Sequence, residues 1–233
     1  MQKIQQVLNL KGRTALVRVD FNVPVGLDGK VDQTESFRIE SALETLKFLQ
    51  DAGAKTIVVS HIGRDKKESL KPVYEYLKVF LNINFVSTWD KVDLEGVVNN
   101  LQEGEMILLE NIRQNIGEEK NDPEFSNWLA SLADLYVNEA FAVSHRKHAS
   151  VVGVPLYLPS YAGFWLQKDV ENLNKVLESP EKPFLFILGG AKFDTKIPLL
   201  RKFEKKADEL LIGGALANNF FKTIGLEIGK SLV

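Results

Sequence analysis

Hydrophobic residues along this chain occur in two alternating patterns. Short continuous apolar runs, bounded by polar or turn residues, are typical of strands that are covered on both faces of a sheet. Longer stretches with apolar residues at every third or fourth position predict amphipathic helices. The predicted strands are TALVRV (14–19), KTIVVS (55–60), INFV (83–86), EMILLE (105–110), DLYVNEAF (134–141), PFLFILGG (183–190) and DELLIGG (208–214).

Predicted helices separate these strands. Ser69 is the predicted N-cap of the second helix, and Asp122 followed by Pro123 predicts a helix start with proline at the first helical position. The helical segments are 37–53, 69–81, 92–104, 122–133, 161–179, a helix from about residue 192, and 216–225. Strands that alternate with helices of this length predict an α/β fold with a largely parallel sheet. In such sheets the ligand crevice lies outside the carboxyl ends of the strands.

The residues that directly follow the predicted strands are polar in a consistent way. All three histidines of the sequence, His61, His145 and His148, lie at strand exits. The other polar residues here are Asp20, Asn22, Arg64, Arg113 and Arg146, with Arg38 at the start of the first helix on the same side of the sheet. The carboxyl edge of the sheet is therefore the predicted ligand site.

This group of residues predicts a small anionic ligand. Arginine offers a planar fork that grips carboxylate or phosphate with two hydrogen bonds. Asp20 and Asn22 suit a hydroxyl group, which donates to a carboxylate and accepts from an amide. The predicted ligand therefore has more than one anionic group and a hydroxyl. Two alternatives remain open: the arginines are solvated loop charges, and Arg18, inside the first strand, is an ordinary ion-pair partner.

A second candidate site lies where the last two predicted strands end. Each strand ends in a glycine pair, and two lysines follow the first pair at a spacing of four, on one helix face. Glycines let a ligand approach the backbone closely, and a helix N-terminus favours phosphate. The residues concerned are Gly189, Gly190, Lys192, Lys196, Gly213 and Gly214. The alternative is a pair of tight strand-to-helix turns with solvated lysines.

Composition and motif tests exclude several classes of function. The sequence has 233 residues, a net charge of −2 and no cysteine, so general attraction to nucleic acid, disulfides and Cys-ligated zinc are excluded. The GKS at 229–231 is not a Walker A motif, because position 224 is Ile where the motif needs Gly. The N-terminal segment lacks the apolar core of a signal peptide, and no apolar run is long enough to span a bilayer. We therefore expect a cytoplasmic protein without a nucleic-acid or membrane partner.

Together these segments resemble phosphoglycerate kinase. The matching stretches are RVDFNVP (18–24), FRIESALETLKFL (37–49), SHIGR (60–64), GEMILLENIR (104–113), EEKNDPEF (118–125), YVNEAF (136–141), SHRKHAS (144–150), ILGGAKFDTKI (187–197) and LLIGGALANNF (210–220). They occur in order from about Gly12 to the last residue, and several are long and rarely shared with other families. Departures include Gln114, where the family usually has Phe, and GGALA in place of the common Gly-Gly-Gly-Met-Ala.

The resemblance implies two doubly wound, Rossmann-like α/β lobes that are joined by a helix. It implies a 3-phosphoglycerate-binding N-terminal lobe over residues 1–160, an interlobe helix over 161–180 and an incomplete nucleotide-binding C-terminal lobe over 181–233. In the family, the lobes close to transfer a phosphoryl group between 1,3-bisphosphoglycerate and Mg-ADP, which gives 3-phosphoglycerate and Mg-ATP. The resemblance also implies a monomer that takes part in glycolysis.

The resemblance further assigns roles to the residues that match the family's motifs. The implied substrate-binding residues are Asp20, Asn22, Arg38, His61, Arg64, Arg113 and Arg146, with Arg18, His145 and His148 completing the basic patch. The implied catalytic residues are Arg38 and Lys192, which would stabilise the transferring phosphoryl group. The implied nucleotide-binding residues are Gly190, Ala191, Lys196, Gly213 and Gly214. No protein ligand to the magnesium ion is expected in this chain, because the family's aspartate for it has no counterpart here.

The length of the chain leaves three hypotheses. Family members run to roughly twice the size of a large single domain, whereas this chain stops early in the nucleotide lobe. It is an active kinase when complete, a truncated and non-catalytic module that binds 3-phosphoglycerate, or an interaction protein that keeps the fold alone. The retained strand-end residues argue against the third hypothesis. A coupled enzyme assay separates the first two.

Overall fold

The computed structural model describes residues 1–190 and 193–233, so Ala191 and Lys192 lie outside the described residues. The chain divides into two compact units, Met1–Asp169 and Val170–Val233. None of the helices in the described residues has the length and apolar character that a membrane crossing requires.

The first unit is built on a six-stranded parallel sheet with the strand order β3-β4-β2-β1-β5-β6. Its strands are β1 (Thr14–Arg18), β2 (Lys55–Val59), β3 (Ile83–Val86), β4 (Met106–Leu109), β5 (Leu135–Asn138) and β6 (Ser160–Ala162). Every neighbouring pair is parallel. From β1 the chain first adds β2 on one side and later returns to add β5 on the other. The order therefore reverses at β1, which is where doubly wound sheets bind ligands.

Helices cover both faces of this sheet. They are α1 (Phe37–Asp51), α2 (Lys71–Leu77), α3 (Lys91–Asn100), α4 (Ile116–Lys120), α5 (Pro123–Ser131) and, up to Asp169, α6 (Phe164–Glu178). The hydrophobic core on one face includes α1 and α2, and the core on the other face includes α3 and α5. Successive strand residues alternate between the two cores, as Leu16 and Val17 do. The predicted α/β fold with a doubly wound parallel sheet is therefore confirmed.

The strand register brings the carboxyl ends of the central strands level with each other. Arg18 of β1 lies beside Val59 of β2 and Asn138 of β5. The residues two positions beyond, which include Asp20 and His61, therefore leave the sheet at one height. The same edge receives the chain that follows β4, because β4 pairs with β2 in parallel.

Besides the end of α6, the described residues of the second unit form a two-stranded parallel sheet and two further helices. β7 (Leu185–Leu188) pairs with β8 (Glu209–Ile212), and α7 (Phe193–Phe203) and α8 (Ala215–Thr223) follow the two strands. Phe203 is buried and stacks on Phe186 with ring centroids 4.4 Å apart. This strand–helix alternation continues the α/β pattern of the sequence.

Several local features differ from the sequence-based prediction. The predicted N-cap Ser69 is wrong, because α2 begins at Lys71 with Leu70 in the cap position. The Ser69 hydroxyl donates to Glu110 Oε2 at 2.6 Å and still accepts from the backbone N–H of Lys71, the first residue of α2, at 3.1 Å. The short helix α4 and the three-residue strand β6 were not predicted, since both are too short to show a hydrophobic period.

The helix α6 begins three residues later than predicted, because residues 160–162 pair with β5. The division between the two units falls inside this helix, between Asp169 and Val170. The domain boundaries at 160 and 180, and the role of this segment as an interlobe helix, stay predictions.

Candidate functional site

The carboxyl edge of the first unit's sheet gathers the polar residues that follow β1, β2, β4 and β5. We call these residues the strand-end cluster: Asp20, Asn22, Arg38, His61, Arg64, Arg113 and Arg146. Their shared placement is a consequence of parallel strands, whose carboxyl ends meet at one edge. The cluster combines four arginines, a carboxylate, an amide and an imidazole.

Asp20 connects three elements at the exit of β1. Its Oδ2 accepts a hydrogen bond from Arg38 Nη1 at 2.7 Å, which brings the start of α1 to the strand end. Its Oδ1 lies 3.8 Å from His61 Nδ1. Asp20 is buried, whereas the Arg38 side chain is about half exposed. The ion pair therefore has one fixed partner and one that can move towards an incoming anion.

The turn after β2 is fixed by backbone contacts from Asn22 and Arg113. Asn22 Oδ1 accepts from Gly63 N at 2.8 Å, and an Arg113 Nη1 hydrogen donates to Gly63 O. Gly63 has a φ of +62°, and a Cβ there would collide with the carboxylate of Glu68. The positive φ favours glycine at this turn, even though the Glu68 side chain could move aside, so the sequence HIGR after β2 helps to position both His61 and Arg64.

His61 is a buried and neutral imidazole. It is 2 % exposed, and Arg18 Nη2 lies 3.3 Å from its Nδ1. Burial, and then the positive charges of Arg18, Arg113 and Arg146, lower the pKa of His61 from 6.5 to about 2. Its Nε2 atom is buried and has no hydrogen-bond partner among the described residues. A buried donor without a partner is rare and marks a position where a ligand can bind.

Two arginines of the cluster have no counter-charge. The side chains of Arg64 and Arg146 make no hydrogen bond or ion pair with any described residue, and Arg64 is exposed while Arg146 is half-buried. Arg113, in contrast, has its Nε atom 3.4 Å from Glu119 Oε1. The guanidinium groups of Arg64 and Arg146 are therefore available to bind an anion.

The two other histidines differ in their surroundings. His148 Nδ1 lies 3.7 Å from Glu118 Oε1, and burial lowers the pKa of His148 in spite of that carboxylate. His145 is exposed. Neither ring contacts the ion pair of Asp20 and Arg38 through a hydrogen bond in the described residues.

A cavity of about 380 Å³ lies beside the ion pair of Asp20 and Arg38. Phe37 and Trp165 form one wall of it, with ring centroids 5.1 Å apart in an edge-to-face arrangement. The volume is sufficient for a small metabolite. His61, Arg64, Arg113 and Arg146 do not line this cavity, so it extends the strand-end cluster on the α1 side only.

In the second unit, glycines and a lysine meet where β7 and β8 end. Gly190 has a φ of +134° and Gly214 a φ of +61°, and a Cβ on Gly190 would lie 3.5 Å from Lys196 Cε. A Cβ on Gly189 would lie 3.7 Å from the backbone oxygen of Gly213. The backbone is thus uncovered next to a cationic side chain. The predicted residues Ala191 and Lys192 lie outside the described residues.

Sequence reasoning missed three buried residues behind the site. Glu118, Glu139 and Ser150 are all buried and hydrogen-bonded. Arg18, which the sequence left as either a basic-patch residue or an ion-pair partner, is 1 % exposed and packs behind His61. Glu118 stands in the charged run GEEK, which is typical of a solvated helix, so no sequence signal distinguishes it from its neighbour Glu119.

Comparisons with known proteins agree with this architecture. The family model described as phosphoglycerate kinase matches residues 4–233. The phosphoglycerate kinases of Dictyoglomus turgidum and Moorella thermoacetica are each 48 % identical over 97 % of this chain. The chain spans 58 % of the length of each of these relatives.

Solved structures show the same likeness. Phosphoglycerate kinase from Coxiella burnetii matches with a TM-score of 0.85 and 37 % identity, over 99 % of this chain and 58 % of that one. The enzyme from Pyrococcus horikoshii matches with a TM-score of 0.80 and 28 % identity, over 98 % of this chain and 59 % of that one. The described fold and the sequence family therefore agree.

Proposed function

Because the chain belongs to the phosphoglycerate kinase family, we propose that it serves reversible phosphoryl transfer between 1,3-bisphosphoglycerate with ADP and 3-phosphoglycerate with ATP. The chain spans 58 % of its relatives' length, so this activity is proposed for the protein at that full length. The observation that supports it is a pair of arginines without an ion-pair partner among the described residues, Arg64 and Arg146, at the same edge of the sheet as the buried imidazole of His61.

The chemistry of the strand-end cluster suits 3-phosphoglycerate. This ligand carries a carboxylate, a phosphate and a hydroxyl. Arg64 and Arg146 would each take an anionic group with two hydrogen bonds. His61 Nε2 would donate to a ligand oxygen, because it has no partner in the protein. Asp20 would accept from the hydroxyl through Oδ1, which accepts only a long hydrogen bond of 3.3 Å from Asn22 N, whereas Oδ2 accepts from Arg38 at 2.7 Å.

Arg38 is the proposed catalytic residue within the described part of the chain. Phosphoryl transfer depends on in-line positioning and on neutralising the charge of the equatorial oxygens. The acceptor is already a carboxylate, so no general base is needed. Arg38 is half exposed and held by Asp20 at 2.7 Å, so a transferring phosphoryl group can compete for its guanidinium. Lys192 shares this role by resemblance alone.

The second unit supplies the proposed nucleotide-binding residues Gly190, Lys196, Gly213 and Gly214, together with Ala191. The uncovered glycine backbone beside Lys196 fits a phosphate chain. Magnesium would neutralise charge on the nucleotide phosphates. Among the described residues there is no group of three or more His, Asp or Glu side chains that could hold a metal ion. As the resemblance implies, the magnesium ion would be held mainly by the nucleotide and by residues absent from this chain.

A second candidate function is a module that binds 3-phosphoglycerate without transferring phosphate. The 58 % span of the relatives favours it for this chain alone. A coupled assay with 3-phosphoglycerate and Mg-ATP separates the two functions: turnover supports the kinase, and binding without turnover supports the module. In either case we propose a cytoplasmic monomer. We also propose that it has no nucleic-acid or membrane partner, since a net charge of −2 attracts neither.

Substitution of Arg146 by methionine is expected to weaken 3-phosphoglycerate binding by about 10- to 100-fold. The reason is the loss of charge-assisted hydrogen bonds, which contribute about 1.5–3 kcal/mol. Calorimetric titration measures the effect, and wild-type affinity should fall as salt is added. Arg13→Met is the matched control, because Arg13 precedes β1 at the opposite edge of the sheet. Equal weakening by both variants would mean that general charge, and not this site, attracts the ligand.

A further inference from the structure

A chain of buried hydrogen bonds lies behind the strand-end cluster. It begins at Glu118, which is 0 % exposed. Glu118 Oε2 accepts from the backbone N–H of Ser150 at 2.8 Å, and Glu118 Oε1 lies 2.7 Å from Ser150 Oγ. A carboxylate has no proton to donate, so the Ser150 hydroxyl donates to Glu118. The lone pairs of Ser150 Oγ are then free to accept a hydrogen bond from another donor.

Arg18 extends this chain to the site. Its Nε donates to Ser150 Oγ at 2.9 Å, an Nη1 hydrogen donates to the backbone oxygen of Val19, and Nη2 lies 3.3 Å from His61 Nδ1. These contacts use all three nitrogens of the guanidinium within the protein. Arginine has donors only, so His61 Nδ1 must be the acceptor in its contact with Arg18.

The acceptor role of Nδ1 determines the protonation of His61. A neutral imidazole carries one proton, and Nδ1 needs its lone pair for Arg18, so the proton resides on Nε2. Nε2 is the ring nitrogen that has no partner among the described residues. The ionisable groups around the ring are Asp20, with Oδ1 at 3.8 Å, and Arg18, Arg113, Arg146 and His148. The positive groups outnumber the single carboxylate, which also pairs with Arg38.

We propose that Glu118 and Ser150 are positioning residues that hold Arg18 against His61 Nδ1, so that His61 stays neutral with its proton on Nε2 as a donor to a ligand oxygen. The part that concerns the ligand rests on the proposed function. Neither residue contacts the ligand, and both act through Arg18. A merely structural ion pair between Glu118 and Arg18 would stabilise the fold but would leave the tautomer of His61 unspecified.

NMR of the histidine side chains in ligand-free protein tests the first half of the proposal, which concerns the tautomer of His61. A two-dimensional proton–nitrogen spectrum of the three histidines, with His61 assigned by its loss in His61→Gln, reports which nitrogen carries the proton. We expect Nδ1 bare and Nε2 protonated. In Ser150→Ala the acceptor for Arg18 Nε is lost, and we expect His61 to show a mixture of tautomers. A wild-type ring with its proton on Nδ1 would overturn the proposal without any variant.

Ligand titration tests the second half. We expect the Kd for 3-phosphoglycerate to rise about tenfold in Ser150→Ala and in Glu118→Gln. We expect Ser150→Thr, which keeps the hydroxyl, to restore the wild-type tautomer, and Glu124→Gln, an exposed glutamate of α5, to change neither readout. Folded Ser150→Ala protein with the wild-type His61 spectrum would overturn the proposal. If wild-type protein shows the expected tautomer but binds no 3-phosphoglycerate, the proposed function fails and the positioning of His61 stands.

Discussion

Substitution of Glu139 by alanine is expected to lower the free energy of unfolding by about 3 kcal/mol, because buried donors would lose a charged acceptor. Glu139 follows β5 and is 4 % exposed. Its Oε1 accepts from Thr45 Oγ1 at 2.6 Å and from Trp165 N at 2.9 Å, and its Oε2 accepts from Leu166 N at 3.2 Å. The carboxylate therefore satisfies the first N–H groups of α6 and joins them to α1.

Urea denaturation followed by tryptophan fluorescence measures this loss. All three tryptophans, Trp89, Trp128 and Trp165, lie in the first unit, so the signal reports the unit that contains Glu139. Glu139→Gln is the matched control, because an amide oxygen still accepts hydrogen bonds, and we expect it to cost about 1 kcal/mol. Equal losses in the two variants would show that the negative charge, and neither packing nor the hydrogen bonds to α6, accounts for the stability, because glutamine keeps the size of the side chain and an acceptor oxygen.

Acidification from pH 8 to pH 5 is expected to remove about 2 kcal/mol of stability through His61 alone. The pKa of His61 is lowered from 6.5 to about 2 by burial and by the neighbouring arginines. Between these two pH values, His61 binds a proton in the unfolded chain but not in the folded chain. Stability is therefore fully present above pH 6.5 and falls as the pH decreases towards 2.

Comparing wild type with His61→Gln isolates the contribution of His61 to the pH dependence of stability. Burial also lowers the pKa of His148, which adds a loss in the same direction, and burial raises the pKa of Glu139, which acts in the opposite direction. Both contributions cancel when wild type is compared with His61→Gln. We expect the drop in unfolding free energy between pH 8 and pH 5 to be about 2 kcal/mol larger in wild type. Identical drops would show that His61 already titrates near its ordinary pKa.

The sequence predicted the strands of the fold well, because buried parallel strands are continuous apolar runs that few other structures produce. It placed Asp20, His61 and Arg146 at the carboxyl edge of the sheet because residues that follow parallel strands share that edge. A hydrophobic repeat can be recognised only in a helix of several turns or a strand of several residues. The short α4 and the three-residue β6 therefore left no readable pattern.

The supporting residues of the site could not be predicted in the same way. Glu118 lies in a charged run and Glu139 at the end of an apolar predicted strand, and neither position shows in the sequence that the tertiary fold buries the carboxylate. The same limit applies to Asn22 and Arg113. Their types suggested ligand contacts, yet the structure shows that both also fix the turn at Gly63. Burial and partner choice depend on residues far apart in the chain, which a local pattern does not contain.

We propose that the carboxyl edge of the first unit's sheet binds 3-phosphoglycerate. Backbone amide chemical shifts, recorded while 3-phosphoglycerate is added to the isotope-labelled chain, test it most directly. We predict saturable shifts concentrated in residues 20–22, 61–64, 111–113 and 144–148. Residues at the opposite edge, such as Arg13 before β1 and Asp134 before β5, should be unaffected. Saturable shifts at that opposite edge, or none anywhere in a folded chain, would contradict the account.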